Sequence, residues 1–120
     1  MSINQQTNTP SPPRYIRLSF DRAEQPAALC HGFAGYFDTL LYKGVTLSIH
    51  PDTHTPDMFS WFPIYFPLKD PLLLPAGVVV EVSMWRCVGP GKVWYEWAVV
   101  GGAQPTPLHN AGGRSYHVGL

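Results

Sequence analysis

The fold is decided by residues 78–100, which read VVVEVSMWRCVGPGKVWYEWAVV. Apolar and polar side chains alternate from Val78 to Cys87 and again from Val93 to Val100, and this pattern predicts two strands that each bury one face. The turn Gly89-Pro90-Gly91 between them makes the stretch a β-hairpin. A register slip of one residue would expose the whole row of valines, so the inward face is sharply specified. The residues predicted to form the core are Val78, Val80, Val82, Met84, Tyr95, Trp97 and Val99.

Short strands and turns rich in Gly and Pro continue on both sides of this hairpin. Residues 15–20 predict a strand, Lys43-Gly44 predicts the turn of a second hairpin, and the alternation at 45–50 predicts a half-buried strand. Residues 69–77 predict a turn region, and residues 115–118 a short closing strand. The predicted fold class is therefore all-β, a partial barrel or sandwich of antiparallel strands.

The chain has the length of one domain, 120 residues. Residues 1–13 are rich in Gln, Asn, Thr, Ser and Pro and offer little to bury, so they predict a disordered lead-in to a domain at 14–120. They do not read as a signal peptide, and no run is long enough to span a bilayer. Cys30 and Cys87 are too few for a disulfide framework and are expected to be reduced thiols, as in a cytosolic protein.

The charge balance argues against two classes of partner. Eight basic residues match eight acidic ones, which gives a formal charge of zero. Nucleic-acid binding would need a basic stripe, and docking on an acidic membrane would need a basic patch, so neither partner is expected. Charged residues make up only 13% of the chain, which predicts poor solubility unless partners cover part of the surface.

Three short motifs resemble a phosphate-binding loop, a zinc site and a nucleophile with its base, but each lacks a feature that such a site requires. Gly89-Pro90-Gly91-Lys92 resembles the end of a phosphate loop, but Val93 replaces the Ser or Thr that would hold magnesium. His50 and His54 have a helical zinc spacing, but the prolines around them make a helix unlikely. Cys30-His31 would point to opposite faces of a strand, so they make a poor nucleophile and base. No catalytic residue, metal site or bound cofactor is predicted in this chain.

The segment Phe59-Ser60-Trp61-Phe62-Pro63 places three large rings next to the turn-rich residues 51–57. One interpretation is that all three rings are core. The other is that Trp61 offers its indole face to a ligand, since such a face attracts a flat cation such as guanidinium by roughly 0.5–2 kcal/mol. The residues alone leave both interpretations open.

Four motifs carry a resemblance to a known family: HGFAGYF at 31–37, MFSWFPI at 58–64, KVWYEWAV at 92–99, and GRSY at 113–116 with the terminal Gly119-Leu120. In this order and spacing they resemble the C-terminal β-barrel, or oligomerisation, domain of type II protein arginine methyltransferases, which make symmetric dimethylarginine. The resemblance runs from about Arg14 to Leu120.

The resemblance implies a role in substrate binding rather than in the chemical step. In this family a separate domain binds S-adenosylmethionine and carries the glutamates that hold the substrate guanidinium, so the chain is expected to bind no cofactor and to be inactive alone. The Phe-Ser-Trp loop caps the substrate site. By carry-over, Trp61 is the contact to the substrate arginine, with Ser60 and Phe62 supporting it.

The resemblance also implies partners and a location. Expected partners are Gly/Arg-rich protein segments or histone tails, bound through the parent enzyme, and further copies of the chain in a homo-oligomer. A WD-repeat partner would be reached only through family regions that are absent here, and the expected location is the cytoplasm and nucleus.

Two functions therefore stand side by side. The first is the substrate-capping and oligomerisation module of an arginine methyltransferase that dimethylates protein arginine symmetrically. The second is a free-standing β-barrel binding or scaffold domain that associates with an intact methyltransferase.

Overall fold

A computed structural model describes residues 14–120 of the chain, and the lead-in predicted at 1–13 lies outside these residues. The described part is built from eight strands and one 3-10 turn, without an α-helix, so the predicted all-β class is confirmed. None of its sheets closes into a barrel. The elements are β1 (Arg14–Phe20), β2 (Ala28–Gly35), β3 (Asp38–Tyr42), β4 (Val45–Ser48), β5 (Ile64–Leu74), β6 (Val80–Gly89), β7 (Lys92–Val100), the 3-10 turn Ala111–Gly113 and β8 (Val118–Gly119).

The described residues divide into two compact units. One contains residues 32–67, and the other contains residues 14–31 and 68–120. Residues 14–120 form three sheets: a four-stranded sheet in the order β1-β6-β7-β8, the pair β2-β5, and the hairpin β3-β4. No helix of the described residues has the length and apolar character to cross a membrane.

The predicted hairpin is the centre of the four-stranded sheet. β6 pairs antiparallel with β7 from Glu81 opposite Val100 to Gly89 opposite Lys92, and β1 pairs with the other edge of β6. Burial in β6 alternates between buried and half-buried from Val80 to Met84, as the sequence pattern requires, and the residues from Trp85 to Gly89 are all half-buried. Five of the seven predicted core residues are buried, while Val78 and Tyr95 are half-buried; the buried ones are Val80, Val82, Met84, Trp97 and Val99.

His109 connects the segment that follows β7 to that strand through a hydrogen bond and a ring contact. The backbone N–H of His109 donates to the carbonyl of Trp97 at 2.8 Å, and the imidazole stacks on the Trp97 indole with a 9° angle between the rings. The backbone N–H of Lys69 on β5 donates to His109 Nε2 at 3.0 Å. His109 Nε2 is therefore an acceptor without a proton, which assigns the ring proton to Nδ1, 3.3 Å from the Trp97 carbonyl.

The prediction of a turn region at residues 69–77 is wrong over its first part, because β5 continues to Leu74. Pro67 and Pro71 lie within this strand. Proline lacks an N–H and is normally confined to edge strands, and β5 has β2 as its one strand partner among the described residues. Within the described part of the chain, the prolines therefore lie in an edge strand rather than in a turn.

The second predicted hairpin is formed by β3 and β4, with Lys43 and Gly44 at its turn, both at positive φ. The predicted alternation at residues 45–50 is wrong, because Val45 is exposed and the polar Ser48 is buried. Burial of Ser48 costs little since its hydroxyl bonds to the Thr53 hydroxyl at 2.8 Å and accepts from the His50 N–H at 3.1 Å. The last residue of β4 is therefore a buried, hydrogen-bonded serine instead of an apolar side chain.

Candidate functional site

The candidate site is the loop between β4 and β5, residues 49–63, in the unit of residues 32–67. Ser48 holds the first half of this loop through hydrogen bonds. Thr55 closes the loop on this residue, since its N–H donates to the Ser48 carbonyl at 2.8 Å and its hydroxyl accepts from the Ser48 N–H at 2.9 Å. Residues 49–54 are thereby held in a compact loop with fixed ends. The buried Ile49, 4% exposed, ties the same loop to the interior of its unit.

The second half of the loop presents the aromatic segment. Asp57 adopts a left-handed conformation with φ 66°, which turns the chain just before Met58. The Trp61 N–H then donates to the Met58 carbonyl at 3.4 Å, so residues 58–61 form a turn. This turn carries Phe59, Ser60 and Trp61 into solvent.

The rings of this segment are exposed. Trp61 is 58% exposed, Phe59 81% and Phe62 77%. The interpretation that all three rings are core is therefore wrong. The tryptophans on β7 are better covered, because Trp97 is only 7% exposed and Trp94 is half-buried. Ser60 is exposed beside Trp61, and the roles of Trp61, Ser60 and Phe62 toward a substrate stay predictions.

The Trp61 indole has a defined neighbour. Its ring lies 5.5 Å from the Phe37 ring, centroid to centroid, with 75° between the two planes. This edge-to-face geometry is a preferred arrangement of two aromatic rings. Sequence reasoning missed Phe37 as a site residue, since nothing in the pattern shows that the end of the HGFAGYF motif returns to the Phe-Ser-Trp loop.

The charge of this unit suits a cationic ligand. Residues 32–67 contain three aspartates, one lysine and no arginine, which gives a formal charge of −2 with histidine neutral. The only lysine, Lys43, lies at the turn between β3 and β4 and sits 5.3 Å from the Tyr42 ring. An exposed indole in a unit with net negative charge attracts a guanidinium or ammonium group rather than an anion.

The metal site and the cysteine nucleophile considered from the sequence receive no support from the positions of the described residues. The described residues 14–120 hold no group of three or more His, Cys, Asp or Glu side chains arranged for a metal ion. His50 Nδ1 lies 3.8 Å from an Asp52 carboxylate oxygen, which is a local contact within the loop. On β6, burial raises the pKa of the Cys87 thiol, with a further contribution from the Glu96 carboxylate, so this cysteine is a poor nucleophile at neutral pH.

Comparison with known proteins identifies the family. A model of the PRMT5 oligomerisation domain matches residues 2–118. The chain belongs to the PRMT5 oligomerisation-domain family. The family and the type of domain expected from the four motifs are thereby confirmed. The match starts at residue 2, so the similarity to PRMT5 reaches further toward the N-terminus than the motifs alone indicated.

Several PRMT5 proteins share this sequence. The chain is 56% identical over 108 residues to protein arginine N-methyltransferase 5 of Oryza sativa subsp. indica, which covers 89% of the chain and 16% of the rice protein. It is 58% identical over 90 residues to the Xenopus laevis protein of the same name, covering 75% and 14%. Protein arginine N-methyltransferase skb1 of Schizosaccharomyces pombe is 43% identical over 116 residues, covering 86% and 18%. The chain thus spans less than a fifth of the length of these relatives.

Proposed function

We propose that this chain is the substrate-capping and oligomerisation domain of a protein arginine N-methyltransferase that forms symmetric dimethylarginine from S-adenosylmethionine. In this proposal Trp61 contacts the substrate arginine, and Ser60 and Phe62 support the contact. The observation that carries it is the exposure of Trp61, 58%, in a loop of a family whose relatives are named arginine methyltransferases.

The physical basis is a cation–π contact. The face of an indole attracts a guanidinium by roughly 0.5–2 kcal/mol, and more strongly when the pair is shielded from water. An exposed tryptophan in an isolated domain becomes shielded when another domain closes over it. The same ring then limits where the arginine can lie, which matters because methyl transfer depends on alignment of the nucleophile with the donor.

The methyl donor would be bound by another domain. The 120 residues contain no glycine-rich donor-binding motif, so S-adenosylmethionine would be held elsewhere in the working enzyme. The protein substrates would be Gly/Arg-rich segments or histone tails, and the enzyme would work in the cytoplasm and nucleus. The exposed apolar residues of the β3-β4 hairpin support assembly with further copies; they are Leu40, Leu41, Tyr42 and Val45.

The test uses an intact methyltransferase that carries this domain. Trp61→Ala should lower kcat/KM for a Gly/Arg-rich peptide by about tenfold or more, through the lost cation–π contact and the misplaced guanidinium. Trp61→Phe should retain part of the activity because it keeps a ring face. Affinity for S-adenosylmethionine should stay unchanged in both variants.

Phe59→Ala is the matched control, since Phe59 lies in the same turn and is even more exposed. It should affect turnover much less than Trp61→Ala. Normal turnover in Trp61→Ala, or an equal loss in both variants, would contradict the assignment of Trp61.

A further inference from the structure

The Trp61 ring needs a support that its own loop does not provide. Phe59 in the same turn and the following residue Phe62 are exposed, and the turn hydrogen bond of the Trp61 backbone is long, 3.4 Å. A tryptophan side chain on such a turn can occupy several rotamers. A contact that selects one rotamer would therefore decide where the indole face points.

Phe37 lies where it can provide this support. Its ring meets the Trp61 ring edge-to-face, at 5.5 Å and 75°. Despite this contact, 58% of Trp61 remains exposed. The exposed part of the indole is therefore open to a ligand while Phe37 contacts the ring.

Phe37 is itself fixed by the folded unit. Its carbonyl accepts the N–H of Ile49 at 3.0 Å, and Ile49 is buried. The next residue, Asp38, begins β3 and pairs with the buried Ser48. The backbone of Phe37 is therefore bonded to the buried Ile49, and its neighbour Asp38 pairs with the buried Ser48.

We infer that Phe37 is a positioning residue, which sets the orientation of the Trp61 indole for the cationic side chain that Trp61 binds. This inference rests on the proposed contact between Trp61 and the substrate arginine. It adds a residue outside the Phe-Ser-Trp loop to the substrate-binding apparatus.

The first test reads the orientation directly in the 120-residue chain. The Trp61 indole N–H resonance is assigned by its loss in Trp61→Phe, and its chemical shift is then compared among variants. Phe37→Leu removes the ring current and should shift this resonance, while Phe37→Tyr keeps the ring and should leave it nearly in place. The control is Tyr36→Leu, since the neighbouring Tyr36 ring contacts His50 instead, at 5.7 Å. It should leave the Trp61 resonance unchanged.

The second test measures methylation by an intact methyltransferase that carries this domain. Phe37→Leu should lower kcat/KM by about tenfold, since a shift of about 1 Å in alignment can cost up to a hundredfold. Most of the loss should lie in kcat, and Phe37→Tyr should restore the activity. In a Trp61→Phe background, Phe37→Leu should cost much less than in the wild type, because residues that act through one another are not additive.

The outcomes separate this inference from the proposed function. If Trp61→Ala impairs methylation and Phe37→Leu neither shifts the indole resonance nor slows turnover, the positioning role is wrong and the function stands. An equal loss in Phe37→Leu with and without Trp61→Phe also overturns it. If Trp61→Ala is fully active, the proposed function fails and the inference fails with it.

Discussion

Truncation of one buried valine tests which face of β6 is buried in the four-stranded sheet. Val82 is 1% exposed, and it lies between Leu18 of β1 and Val99 of β7, which is fully buried. Val82→Ala removes two methyl groups from the covered face. Val100→Ala makes the same change at the end of β7, where the valine is 39% exposed.

The magnitude follows from the burial of the two methyl groups. Each CH₂ equivalent removed from a core costs about 0.8 kcal/mol in transfer free energy. The cavity that remains adds to this cost, because a packed sheet relaxes only partly. Val82→Ala should therefore destabilise the domain by about 2–3 kcal/mol, whereas Val100→Ala should cost less than about 1 kcal/mol.

Urea denaturation of the purified chain, followed by tryptophan fluorescence, measures both values. A lower midpoint with an unchanged slope would identify a true loss of stability. For a domain of this size the Val82→Ala loss corresponds to a fall in Tm of about 6–15 °C. If Val82→Ala lowered the free energy of unfolding no more than Val100→Ala, the assignment of the inward face of β6 would be refuted.

Three further predictions concern the isolated chain. Trp61→Ala should cost about 1–2 kcal/mol of stability, well below the roughly 3–5 kcal/mol expected of Trp97→Ala, because less than half of the Trp61 surface is covered; equal losses in thermal denaturation would show that Trp61 is core. Incubation with labelled S-adenosylmethionine and a Gly/Arg-rich peptide should give no incorporation above background, since the chain encodes neither a donor site nor paired carboxylates for the guanidinium. Alkylation of Cys87 by iodoacetamide should have its pH midpoint above that of an ordinary thiol, and Glu96→Gln should lower this midpoint. Because the folded state raises the pKa of the Cys87 thiol, the small stability linked to the neutral thiol is present below the ordinary thiol pKa and is lost as the pH rises above that value. An alkylation midpoint at or below the ordinary value would contradict the effect of burial.

The sequence predicts an element well where a single physical rule governs it. The hairpin of β6 and β7 is recognisable because alternation, β-branched residues and a Gly-Pro-Gly turn agree. The buried row Val80, Val82 and Met84 follows directly from that alternation. The half-burial of Val78 differs from the prediction, since Val78 lies before the first residue of β6 and outside the sheet.

The sequence-based predictions were wrong where two physical rules favour different structures for the same residue. Prolines suggest a turn, but in β5 they fall on a strand edge that needs no N–H from them. A polar serine suggests an exposed position, but Ser48 is buried because the loop supplies partners for its hydroxyl. These outcomes depend on residues that are distant or in loops, which a local pattern cannot represent.

The candidate site was only half visible in the sequence. The Phe-Ser-Trp motif identified Trp61 through family resemblance, and its exposure agrees with a role in binding. The contact with Phe37 depends on how the β3-β4 hairpin returns the chain to the aromatic segment, and no spacing rule specifies this.

The arrangement of β5 has a consequence for how copies of the chain can meet. Backbone N–H groups of alternate residues point to the same edge of a strand, so Pro67, Lys69 and Pro71 share one edge. Two of these positions have no N–H, and that of Lys69 is already bonded to His109. Over the described residues 67–71, this edge therefore offers no free N–H to another strand, which disfavours templated strand addition there. Association of copies along residues 67–71 would therefore have to use side chains rather than backbone donors.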